Sequence, residues 1–325
     1  MSVLVFAENW EGRFKKSTFE AVSYASAIAK SLGTSTTAVT IGNVSDEDLK
    51  SLGKYGAAKV LNVKNDKLAS LTPQAYTAVV AEAAKKEGAQ VVVISYTYTG
   101  KAIASRVAVR LDAGLVAGAT GLPSSTSPFT VRKKCFSGKG LTDVVITSAT
   151  KVIAINPNSY KVEAAEGSAE VEAFNPSIPD SYFKSVSKEV KKTAGKIALT
   201  EAEIVVSAGR GMKDPKNWGM IEELAEQLGA ATACSKPVAD IGWRPHHEHV
   251  GQTGITIAPN LYIAVGISGA IQHLAGISSS KVIVAINNDP EAPFFKAADY
   301  GIVGDALEVV PKLVNAVKDF KAKHN

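Results

Sequence analysis

The chain has 325 residues, 46% of them apolar and 21% charged, which excludes a disordered polymer and leaves room for two domains with cores of their own. Thirty-six basic residues face 31 acidic ones, a net charge of +5, and no arginine-lysine run carries interspersed aromatics. That argues against a nucleic-acid surface but is compatible with an anionic ligand or an acidic partner. The two cysteines, Cys135 and Cys234, suit a reducing compartment rather than a stapled secreted fold. No apolar run approaches the roughly 18 residues that span a bilayer, so no membrane span is expected, and the chain reads as soluble and cytoplasmic.

The first 125 residues alternate strand and helix. An apolar run at 3–7 predicts a core strand rather than a signal peptide, and Phe19, Val22, Ala25, Ile28 and Ala29 recur at helical spacing over 17–32. Strands follow at 36–41, 59–63 and 91–94, with helices at 46–52, 73–87 and 101–111 between and after them. Thr72-Pro73 supplies a cap and a first-turn proline. The wholly apolar 91–94 run is what a parallel strand covered on both faces requires. From Thr120 the pattern changes: a hairpin over 129–147 with its turn at Ser137-Gly138-Lys139-Gly140, then strands at 151–156 and 169–174, predicts antiparallel strands added to the parallel layer. The lysine-rich stretch 181–196 reads as a solvated crossover, with domains at 1–190 and 191–325.

Alternation resumes after the crossover. Strands are expected at 204–208, 230–234, 261–265, 281–286 and 300–303, and helices at 218–228, 269–275, 294–298 and 306–321. Five parallel strands in one sheet is the natural arrangement. The fold class is therefore α/β: two three-layer domains, the first with added antiparallel strands and the second built on a parallel sheet.

Candidate site residues gather in the second domain. Gly209-Arg210-Gly211 follows a strand, but the glycine that would complete a dinucleotide fingerprint is Asp214. No phosphate loop of the P-loop type and no nucleophile elbow occurs. His246, His247 and His249 sit in one short polar segment, where neighbouring side chains diverge, so a metal site is not expected. Gly251-Gln252-Thr253-Gly254 and Gly266-Ile267-Ser268-Gly269-Ala270-Ile271-Gln272-His273 bring donors with little bulk around them. With Lys236 and Asn287 they point to a ligand rich in acceptors and phosphate, such as a flavin nucleotide. Glycines kept together in three turns are read as evidence that the ligand site is intact.

The second half resembles the α subunit of electron transfer flavoproteins. The likeness is carried by Val205-Val206-Ser207-Ala208-Gly209-Arg210-Gly211, by Val250-Gly251-Gln252-Thr253-Gly254, and by the unbroken run from Leu261 to Gly276. Val284-Ala285-Ile286-Asn287, Asp289-Pro290-Glu291-Ala292-Pro293 and Ala298-Asp299-Tyr300-Gly301-Ile302-Val303 extend it. The resemblance implies a heterodimer with a smaller β subunit, contacted by the first domain, and one non-covalent FAD held mainly by the second. It implies AMP in the partner β subunit, and electrons taken from acyl-CoA dehydrogenases or related flavoenzymes and passed to a membrane quinone oxidoreductase. Fatty acid β-oxidation is the matching context. An NADH-coupled, bifurcating relative is the alternative. In either case the chain is an electron carrier with no substrate chemistry of its own and no catalytic residue.

By the same resemblance, Arg210 lies near the flavin and Thr253 hydrogen-bonds N5, with Gln252 toward the phosphates and ribityl chain. Ser268, flanked by Gly266 and Gly269, is a phosphate-side contact. His273 approaches the C2 carbonyl beside Gln272, and Asn287 and Asp305 lie at the adenosine end. Ser235-Lys236 departs from the family's usual Ser-Arg. Lysine keeps the positive charge over the ring but loses the planar stacking group.

Overall fold

In a computed structural model of the chain, residues 2–185, 187 and 197–324 are described. They fall into two compact units. The expected boundary at 190 and most of the expected crossover lie outside the described residues.

The first unit has strands β1 (Ser2–Phe6), β2 (Ser35–Ile41), β3 (Lys59–Val63), β4 (Ala89–Ser95), β5 (Gly114–Ala119), β6 (Phe129–Cys135), β7 (Gly140–Ile146), β8 (Lys151–Ile155) and β9 (Glu170–Ala173). They run in the order β7-β6-β5-β8-β4-β1-β2-β3-β9. Helices α1 (Lys16–Ser31), α2 (Asp46–Ser51), α3 (Pro73–Lys86) and α4 (Tyr98–Arg110) complete the unit. Strand alternation sends Val3, Val5 and Val93 to the face covered by Val22, Ala25 and Ile28 of α1. It sends Leu4, Phe6 and Val92 to the face covered by Val79 of α3 and Val107 of α4. Caps set the helix starts: the Ser45 hydroxyl accepts from Asp48 N, and the Thr97 hydroxyl from Gly100 N.

Three expectations need correction here. Strand β8 pairs parallel with β4 and β5, and β9 parallel with β3, so the antiparallel addition is confined to the β6–β7 hairpin and the short Ser125–Thr126 strand beside it. Composition cannot distinguish the two pairings, because direction is decided by the connection rather than by the strand. The glycine-rich β5, sequence Gly-Leu-Val-Ala-Gly-Ala, escaped the pattern altogether. Residues 180–183, at the head of the expected solvated crossover, form a 3-10 turn whose Tyr182 and Phe183 pack on the first unit's core.

The second unit is a five-stranded sheet, parallel throughout among the described residues. Its strands are β10 (Ile204–Ala208), β11 (Ala231–Cys234), β12 (Leu261–Val265), β13 (Val282–Asn287) and β14 (Tyr300–Val303), in the order β11-β10-β12-β13-β14. Helices α5 (Gly219–Leu228), α6 (Lys236–Asp240), α7 (Ile271–Ile277) and α8 (Ala306–His324) complete it. One face packs Val206, Ile263 and Val265 against Leu224 of α5 and Val310 of α8. The other packs Val205, Tyr262 and Ala264 with Ile277 of α7 and Phe294. Gly229, left-handed at φ 61°, ends α5 and lets the Ala230 amide reach back to Ala225 O at 2.8 Å. Helix α7 starts two residues later than its sequence suggests, since Gly269 sits at φ +88° and cannot open a helix.

Candidate functional site

A parallel sheet gathers all its strand-to-helix loops on one edge. The strand order gives that edge a particular position: from β10 the chain moves outward to β11, then returns to the other side of β10 as β12. The crevice between the carboxyl ends of β10 and β12 is thus the topological switch point, where open α/β sheets bind ligands. Gly209, Arg210 and Gly211 leave β10 there, and Gly266, Ser268 and Gly269 leave β12. Ser235 and Lys236 follow β11, Asn287 ends β13, and Asp305 follows β14. The Gln252-Thr253 turn reaches the same edge through Val250 N to Cys234 O (3.1 Å) and Gln252 N to Gln272 O (2.8 Å). All twelve residues singled out in the sequence therefore lie along one edge.

Eight of their side chains fall into two groups, apart from buried Ser235 and His273. Arg210, Lys236, Gln252, Thr253, Ser268 and Gln272 are exposed, and among the described residues none makes a side-chain hydrogen bond or ion pair. These are free to meet a ligand. Asn287 and Asp305 are already engaged. Asn287 Nδ2 donates to Ile267 O at 3.0 Å and its Oδ1 accepts from Asp289 N, pinning the β12 loop to the end of β13. Asp305 caps α8 through Leu307 N and pairs with Lys213 Nζ at 2.7 Å, which holds its carboxyl below the usual range. Asp214, in the place of the missing fingerprint glycine, accepts from Lys216 N and caps a 3-10 turn.

The clustered glycines have a structural reason of their own. The loops after β10 and β12 touch backbone to backbone: Gly211 N donates to Gly266 O at 3.0 Å, and a Cβ on Gly266 would lie 2.8 Å from Gly211 Cα. A Cβ on Gly276 would lie 2.5 Å from Gly251 Cα. Their presence together is required by packing alone, so the glycines are not by themselves a sign of a ligand.

His273 gives a sharper sign. It is buried, its Nε2 lies 2.8 Å from the hydroxyl of Tyr262, and its Nδ1 has no hydrogen-bond partner. A native fold rarely leaves such an atom unpaired, since the loss costs about 1–3 kcal/mol. Burial holds the ring's pKa down to about 4, with His249 adding to the effect, so the imidazole is neutral at pH 7. The amides of Ala270 and Ile271, at the start of α7, also lack an acceptor among the described residues. An unpaired ring nitrogen, free amides at a helix opening and unpaired cationic, amide and hydroxyl side chains together fit a ligand with carbonyl and phosphate groups.

Sequence reasoning missed the frame around this site. Tyr262 sits in an apolar strand, where its hydroxyl is the one available signal. The histidine-rich segment is held by Arg244, whose guanidinium grips buried Glu248 with two hydrogen bonds of 2.7 Å, reaches Glu222 at 2.9 Å and lies 5.5 Å from the Trp218 ring centroid. His246 and His247 are exposed while His249 is buried. Among the described residues no three metal-ligating side chains converge.

Fold and site define a two-unit α/β protein whose second unit gathers unpaired donors at the switch point of a parallel sheet. Residues 3–179 match the electron transfer flavoprotein domain and residues 198–278 the electron transfer flavoprotein FAD-binding domain. The chain is 38% identical over 323 residues to the electron transfer flavoprotein subunit alpha of Bacillus subtilis, covering 97% of each chain. It is 38% identical to the subunits alpha of Syntrophomonas wolfei, covering 97% of this chain and 98% of that one, and of Pseudomonas aeruginosa, covering 98% and 100%. The chain belongs to the electron transfer flavoprotein α-subunit family; it binds FAD and serves flavoprotein electron transfer. No helix among the described residues is long and apolar enough to cross a membrane.

Proposed function

We propose that this chain forms a heterodimer with a β subunit, binds one non-covalent FAD at the edge described above, and carries electrons from acyl-CoA dehydrogenases or related flavoenzymes to a membrane quinone oxidoreductase. The observation that carries the reading is the buried, unpaired Nδ1 of His273 at a switch point lined by unpaired donors. The flavin supplies the redox chemistry; the chain binds, orients and tunes it. Thr253 donates toward N5 and His273 toward the C2 carbonyl. Lys236 and Arg210 bring positive charge to the ring's surroundings. Gln252, Gln272, Ser268 and the amides opening α7 hold the ribityl and phosphate groups. Gly266 and Gly269 keep that loop close, while Ser235 sets the start of α6. Asn287 and Asp305 shape the adenosine end through the loops they tie. The protein works in the cytoplasm, the partner β subunit holds AMP, and the first domain (1–190) carries the β contact, leaving 191–325 to FAD.

Co-expression with a β subunit tests this directly. The expected product is a yellow 1:1 complex that a matching acyl-CoA dehydrogenase reduces in the presence of its substrate. A flavin-saturated α chain that accepts electrons alone would remove the partner from the scheme. Reduction by NADH without any dehydrogenase would replace the acyl-CoA assignment with the NADH-coupled one.

A further inference from the structure

Tyr262 is completely buried in the central strand of the second unit, yet it carries a hydroxyl. The hydroxyl's partner of normal geometry is Nε2 of His273, 2.8 Å away. Ser207, one strand over on the same sheet face, lies close enough to interact with the phenol, but its Oγ makes no hydrogen bond of normal geometry. Phe294 locks the pair: its ring stacks on Tyr262 with centroids 6.3 Å apart and meets His273 edge-on at 5.8 Å. Phe294 N also donates to Ser268 O at 3.1 Å, which joins the tyrosine–histidine pair to the loop after β12.

Counting protons assigns the direction of the short bond. A fully buried phenol keeps its proton, because the phenolate would lose its hydration. That proton needs an acceptor, and Nε2 is the one in place. If Nε2 also carried a proton, two donors would meet and the phenol would have to turn to Ser207, where no good bond forms. The favoured arrangement leaves the ring proton on Nδ1.

We propose that Tyr262 is a positioning residue for the cofactor site: it donates to Nε2 of His273, fixes the Nδ1–H tautomer, and so presents an uncharged N–H donor to an acceptor of the bound flavin. The proposal rests on the flavin reading of the site. The titratable groups facing the pair are His249 and Cys234, with Asp240, Lys236 and His246 beyond His249 and the Glu248–Arg244 ion pair beyond Cys234. Cys234 is pushed up to about 12 and stays neutral, and His249 is itself lowered by burial, so neither supplies an anion that would charge His273. The Val250 carbonyl favours a ring proton but does not accept one in normal geometry. Positive charge at the flavin then comes from Lys236 and Arg210, not from this histidine.

The test is the imidazole nitrogen spectrum of the FAD-loaded heterodimer with 15N-histidine in this chain, the His273 signals being identified by their loss in His273→Asn. The expected result is a protonated Nδ1 and a hydrogen-bonded, unprotonated Nε2, unchanged between about pH 5 and pH 8. Tyr262→Phe should lose that fixed pattern and shift the first-electron equilibrium several-fold, and the same change in a His273→Asn background should shift it little. Ser207→Ala should leave the tautomer as it is. An Nε2–H ring or an imidazolium in the unaltered protein overturns the proposal, as does a Tyr262→Phe shift of equal size in both backgrounds. Should Tyr262→Phe fail to fold, the spectrum of the unaltered protein still decides. A complex without flavin absorbance would remove the flavin reading, while the tautomer seen in that sample would still judge the role of Tyr262.

Discussion

Gly211 and Gly266 meet backbone to backbone across the switch point: a methyl group on Gly211 would sit 2.6 Å from Gly266 Cα. Gly266 is also left-handed, at φ +58°. An alanine at either position must push two loops apart, and at Gly266 it adds backbone strain. Each substitution should lower the stability of the second unit by about 2–3 kcal/mol. Gly33→Ala is the control, because φ is +64° there but no atom lies within 4 Å, so only the strain of about 1 kcal/mol remains. Denaturant unfolding, followed in the second unit by the fluorescence of buried Trp218, measures the first two effects, and far-UV circular dichroism the control. Equal losses at all three glycines would contradict the close loop contact.

The buried neutral ring of His273 should make stability depend on pH in one direction. Its folded pKa of about 4 lies below the ordinary histidine value of about 6.5, so the unfolded chain takes up the proton first as pH falls. Stability is unaffected by this group above about pH 7, declines through the window between about 6.5 and 4, and has lost about 3 kcal/mol at its lower end. His273→Gln should flatten that part of the curve. Parallel pH–stability curves for the variant and the unaltered flavin-free protein would show that the ring is not held neutral.

Arg244 and Glu248 are expected to behave as a unit. Glu248 is 3% exposed and meets the guanidinium with two bonds, so Glu248→Gln leaves a half-buried positive charge poorly matched. A loss of about 3 kcal/mol follows. Because the pair holds the segment leading to His249 and the Gln252-Thr253 turn, FAD should also dissociate faster. Thermal melting together with flavin release on dilution checks both, and a variant melting within a degree or two of the parent would count against the pair.

Lys236 opens α6, with its side chain exposed at the carboxyl edge of β11. On the proposed placement of the flavin, Lys236→Gln removes a positive charge beside the ring and should make acceptance of the first electron less favourable by about 1 kcal/mol. Lys236→Arg should keep the sign of the native effect while its planar group alters the size. Anaerobic reductive titration reads both. An unchanged potential in Lys236→Gln would place the ammonium away from the ring.

Thr253→Val separates binding from tuning. The hydroxyl is exposed and makes no internal hydrogen bond among the described residues, so its loss should cost the fold little. The first-electron potential should fall by an amount equivalent to about 1 kcal/mol, one ordinary hydrogen bond. Loss of FAD without a shift in the reconstituted protein would give the hydroxyl a purely structural role.

Much of this was legible in the chain because periodicity and turn chemistry are local. The apolar run at 204–208, the polar turn after it and the amphipathic stretch that follows are each a few residues long, and each declares its own conformation. The candidate residues gather for the same reason: every strand of a parallel sheet delivers its loop to one edge, so naming the loops names that edge. Tertiary structure decided what depends on contacts between distant segments. The directions of β8 and β9 follow from connections and neighbours, not from their own residues. The role of the glycines at 211 and 266 appears only when the two loops touch, 55 positions apart in the chain. Most of all, a tyrosine in an apolar strand and a histidine in a later helix become one hydrogen-bonded pair only after the sheet closes over them. Burial then fixes the protonation of both, because the cost of leaving water is a property of the folded interior and of no residue alone.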